Sequence, residues 1–130
     1  KTMIQLAEKY ADKDVVWVTI NSTYYATAEA NKEWAQKKQL KQLLLIDSDG
    51  TVGKLYDAKT TPHMFIIDKE GDIVYNGAID NAPMGKKPKE EYVNYVDKAL
   101  TELLDGKAVS TPKTKPYGCS VKYAKPKMMP

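Results

Sequence analysis

The sequence predicts an α/β sandwich around a mixed sheet. Three observations carry that expectation. A β-branched and aromatic run, "DVVWVTIN", lies between stretches of helical character. The segments "HMFIID" and "DIVYNGAI" are joined by the turn "KEG", a hairpin signal. Finally, Tyr92, Val96, Leu100 and Leu103 recur at helical spacing.

Taken in order, Met3, Ile4, Leu6, Ala7 and Tyr10 fit one face of a helix. "DVVWVTIN" has only Thr19 as a polar residue inside it, which predicts a strand buried on both faces. "ATAEANKEWAQKKQ" is a helix with Trp34 as its large apolar anchor and Thr27 as a candidate cap. "LLLI" is a short strand ending in the turn "DSDG". "TVGKLYDA" is a short helix expected to turn Val52, Leu55 and Tyr56 inward. The hairpin follows, with Gly71 available for positive φ, and then a helix from about Lys89 to Leu104. Residues 1–105 form the body. Residues 106–130, with four prolines and no sustained periodicity, form an extended tail. Two tyrosines and a valine in "PYGCSVKY" give that tail the means to dock.

The 130 residues are 42% hydrophobic and 28% charged, the profile of a folded globular chain with a core. No apolar run approaches the roughly 18 residues needed to span a bilayer, and "KTMIQLAEKY" is not a signal peptide. Every basic residue is lysine: the tail carries six and no acid, the body fourteen against seventeen acids. A basic tail could touch nucleic acid, but the absence of arginine from these residues speaks against base and phosphate readout. The single cysteine, Cys119, can form neither an internal disulfide framework nor a cysteine-rich zinc site.

The element order together with "VVWVTINS", "LLLIDSDGTVGKLYDAKTTPHMFIID" and "TKPYGCSVKY" resembles a thioredoxin-like domain, which implies a three-layer α/β sandwich with a mixed sheet. More closely, it resembles the redoxin branch called alkyl hydroperoxide reductase/thiol-specific antioxidant, or peroxiredoxin-like. The resemblance implies a first strand and the start of a first helix lying ahead of Lys1. The nucleophilic cysteine would sit at that helix's N-terminus, where dipole and free N–H groups lower a thiol pKa. Without that strand, two sheet edges must pair with each other, pair with a second copy as a homodimer, or stay exposed.

By position, Thr61 and Pro62 correspond to the family's threonine and cis-proline, an edge on which an extended peptide can pair. Cys119 is either a resolving thiol, which attacks the oxidised upstream cysteine, or a lone tail thiol. His63 would lie beside the redox centre; it could tune a thiolate there or serve only structurally. The implied activity is thiol–disulfide exchange on a protein disulfide with a thiol electron donor and no cofactor. Reduction of small hydroperoxides is the alternative, weakened because the arginine expected near the start of this strand is replaced by Pro62-His63-Met64. A non-catalytic module binding an extended segment is a third reading. A metal site from His63, Met64, Cys119, Met128 and Met129 lacks the paired thiols that soft copper needs. "DSDGTVGKLYDA" fails as a calcium loop, with its glycine at the fourth position and Ala58 at the twelfth. Trp17 and Trp34 are expected in the core, and Tyr24 and Tyr25, near the expected active edge, either line a substrate groove or, the favoured reading, pack.

Overall fold

The computed structural model describes residues 2–38 and 43–124. The chain forms two compact units, Lys1–Ala58 with Val121–Pro130, and Lys59–Ser120. The boundaries between units therefore fall at residues 58/59 and 120/121, inside the body and inside the tail.

In the first unit, helix α1 (Thr2–Lys9) buries Leu6 and Ala7, and Tyr10 just beyond it is 2% exposed. That is the face the apolar spacing predicts. Strand β1 (Val18–Asn21) pairs in parallel with β2 (Leu43–Ile46), Val18 opposite Leu43 and Asn21 opposite Ile46. The expectation of a strand buried on both faces is corrected here. Val16 is 79% exposed, and Val18 and Ile20 are also exposed. Among the described residues β1 is bonded along one edge only, and Val18 and Ile20 keep 41% and 43% of their surface exposed.

Helix α2 (Ala28–Lys38) starts at Thr27, whose Oγ1 accepts the Ala30 N–H at 3.1 Å. Its buried residue is Asn31, which accepts a hydrogen bond from Asn21 Nδ2 at 2.9 Å. Trp34 is exposed, contrary to expectation, because no apolar stripe accompanies it around a helix of mostly charged and small residues. Tyr24 and Tyr25 are likewise exposed and meet edge to face, with centroids 5.1 Å apart. Helix α3 (Thr51–Leu55) is started by buried Asp47, which accepts from Val52 N, Gly53 N and Ser22 Oγ at 3.1, 2.9 and 2.6 Å. Burial pushes the Asp47 carboxyl up, but these donors outweigh it and hold its pKa below the ordinary value. Leu55 points to solvent instead of inward. Near the end of the described chain, Tyr123 donates to Ala58 O at 2.7 Å, and Lys122 O accepts from Tyr24 N at 2.8 Å.

In the second unit, β3 (Thr60–Thr61) pairs antiparallel with β6 (Cys119–Ser120). Strands β4 (Met64–Ile67) and β5 (Ile73–Gly77) form the expected hairpin, Met64 opposite Gly77. Its turn is built locally: Asp68 Oδ1 accepts from Glu70 N and Asp72 N, and Gly71 takes φ 88°. Helix α4 (Tyr95–Leu104) buries Val96, Ala99 and Leu100. Burial of Val96 and Leu100 stabilises the unit by about 1.5–3 kcal/mol each. The predicted helix from Lys89 is interrupted, because Asn94 caps α4 by accepting the Asp97 N–H at 2.8 Å and Tyr92 stays in extended backbone ahead of it. Fully buried Tyr75, with Ala78, Ile79 and Ala82, completes this core.

Candidate functional site

The segment from Thr60 to Met64 begins with two threonines and turns at a proline. The Thr61–Pro62 peptide bond is cis. Thr60 Oγ1 donates to Pro62 O at 2.8 Å, a local tie that the short hydroxyl side chain permits. Thr61 is exposed and Pro62 half-buried.

His63 is engaged at both ring nitrogens. Nδ1 accepts the Lys59 N–H at 3.1 Å, which leaves Nε2 to carry the proton and donate to Asn76 Oδ1 at 2.6 Å. Its ring stacks on Phe65, with centroids 4.5 Å apart. Held this way, the His63 ring ties the Lys59 backbone to the Asn76 side chain at the hairpin mouth.

Cys119 is exposed and lies opposite Thr61 in the β3–β6 pair, with Ser120 opposite Thr60. One edge of β3 at Thr61 is thus taken up by the chain's own segment. Thr61, Pro62 and Cys119 are brought together, and His63 adjoins them through the backbone.

What brings Cys119 there was not visible in the sequence. Asn76 N donates to Pro112 O at 3.0 Å, and its carbonyl accepts from Thr114 N at 3.1 Å, so Lys113 lies beside Asn76 in a parallel bridge. Thr114 Oγ1 accepts from Ala78 N at 2.9 Å and shares a hydrogen bond with Tyr75 OH. Gly77 admits this approach, since a Cβ there would stand 2.6 Å from the Thr114 carbonyl oxygen. Tyr117 OH then donates to Asp80 Oδ1, while Tyr92 OH donates to Asp80 Oδ2 at 2.8 Å and Ala82 N to Oδ1 at 3.0 Å. Asp80 is 8% exposed, so these three donors answer a buried carboxylate. Beside them is an open cavity of about 580 Å³ lined by Asp80, Asn81, Lys87, Tyr95, Lys115 and Tyr117 among others.

Among the described residues no three His, Cys, Asp or Glu side chains gather to hold a metal. Met128 and Met129 lie outside the described residues. No helix of the described residues is long and apolar enough to cross a membrane.

The fold and the threonine–proline edge define a thioredoxin-like protein of the redoxin type. The AhpC/TSA family model matches residues 1–76, and the chain belongs to that family. Two solved structures share its fold. An uncharacterized conserved protein from Geobacillus kaustophilus is 31% identical, with a TM-score of 0.85 over 98% of this chain and 69% of its own. A hypothetical protein from Sinorhizobium meliloti 1021 is 27% identical, with a TM-score of 0.83 over 95% of this chain and 69% of its own. No curated protein matches the chain.

Proposed function

We propose that the protein is a thiol–disulfide oxidoreductase whose nucleophilic thiolate comes from outside these 130 residues and whose resolving thiol is Cys119. The pairing of Cys119 with Thr61, next to Pro62, is the observation that carries this reading. The nucleophilic thiolate attacks one sulfur of a substrate disulfide, the S–S bond breaks, and the first substrate thiol leaves with a proton. Cys119, once deprotonated, attacks the protein sulfur of the resulting mixed disulfide and releases the second substrate thiol. The substrate has then gained two electrons and two protons, and the protein holds an internal disulfide. A thiol electron donor reduces that disulfide and resets the cycle. Thr61 and Pro62 shape the edge on which Cys119 is presented, and His63 braces it.

Family membership favours a second reading, reduction of small hydroperoxides. There the thiolate would take one peroxide oxygen, an alcohol or water would leave, and the sulfenic acid would condense with Cys119 with loss of water. Two features weigh against it: these residues contain no arginine, and both His63 nitrogens are already bonded.

Mild oxidation of the intact protein followed by peptide mapping tests the proposal. Cys119 is expected in a disulfide with a second cysteine, and a small disulfide is expected to be reduced faster than hydrogen peroxide. A Cys119 thiol that stays free overturns its resolving role. Peroxide consumption without disulfide reduction transfers the function to the second reading.

A further inference from the structure

An antiparallel strand pair consumes the backbone donors and acceptors along the edge it uses. One edge of β3, the edge facing β6, is occupied by Cys119 and Ser120 of the same chain. The arm that delivers them is fastened at successive points, by Asn76 to Pro112 and Thr114, by Thr114 to Ala78, and by Tyr117 to Asp80. Gly118 lets the arm close on β3. It sits at φ +131° against the Thr61 backbone, where a Cβ would run into the Thr61 carbonyl oxygen and lie 3.0 Å from its carbon. Both atoms belong to the main chain, so neither can swing aside.

We propose that residues 112–120 are a strap that closes the β3 edge, so that the site accepts low-molecular-weight disulfides and excludes extended polypeptides until the strap lifts. The substrate class rests on the exchange reading above; the closure of the edge does not. An extended polypeptide that adds a strand to β3 along this edge must first displace β6. Its apparent affinity is therefore reduced by the fraction of molecules in which the strap is open. A small disulfide needs no such strand and meets no such competition.

The test compares the intact protein with Gly118→Ala, which puts a methyl group against Thr61, and with Tyr117→Phe, which removes only the tie to Asp80. Three quantities are read: hydrogen exchange of the β3 and β6 amides, binding of a synthetic extended peptide with Ser in place of Cys, and the ratio of insulin to small-disulfide reduction. Exchange should speed up in both variants. Peptide affinity and the insulin ratio should rise by about tenfold in Gly118→Ala and by less in Tyr117→Phe, as expected for a larger open fraction. Equal peptide binding by the native protein and a variant whose exchange has sped up overturns the strap. Unchanged exchange in both variants overturns the assignment of Gly118 and Tyr117 as its fastenings. If only the lifted variants bind peptide but none reduces a disulfide, the strap stands and the exchange reading falls.

Discussion

Asp80 receives three hydrogen bonds at a buried position, two of them from phenols. Burial, then the hydrogen bond to Asp80 and its charge, push the pKa values of Tyr117 and Tyr92 above the ordinary tyrosine value. A phenol raised on folding keeps a proton that the unfolded chain releases near pH 10. The stability it contributes is complete below that pH and is lost as the pH climbs through the higher folded value. Urea titrations at about pH 7, 10 and 11 should therefore show the unfolding free energy falling on the alkaline side, beyond the ordinary phenol value. Tyr117→Phe should cost about 1 kcal/mol at neutral pH and make the alkaline fall shallower. An alkaline slope identical to that of the native protein would contradict this account of the tie.

At the scale of elements, α4 depends on its cap. Asn94→Ala removes the acceptor for Asp97 N–H and should cost about 1 kcal/mol, read as a lower denaturation midpoint with an unchanged slope. The sequence showed α1, the hairpin and most of α4, because each is written in neighbouring residues: Leu6 and Ala7 at helical spacing, Asp68 and Gly71 in one turn, Val96 and Leu100 one turn apart. It misled at Val16, Val18, Trp34 and Leu55, whose exposure depends on what covers them and not on their own hydrophobicity. Thr61, Pro62, His63 and Cys119 stand out through the family resemblance. Their fastenings were not legible, since Tyr117 and Asp80 are 37 residues apart and Tyr75 and Thr114 are 39 apart, with no periodic pattern linking them. The capping signal in Asn94, three residues ahead of Asp97, was present in the sequence and could have split Tyr92 from the helix.

For the whole molecule, chain order and spatial order part company after α4. The chain leaves that helix at Gly106, passes through exposed Lys107, and returns across the end of β5 to reach β3. Because the returning arm is secured by bonds at Asn76, Ala78, Asp80 and β3, the covalent link through residues 106–111 carries little of the load. A limited tryptic cut after Lys107 should accordingly leave both pieces travelling together on a native gel and parting only in denaturant. The protein would behave as a molecule assembled from two non-covalently joined peptides, able to survive a scission that severs its backbone.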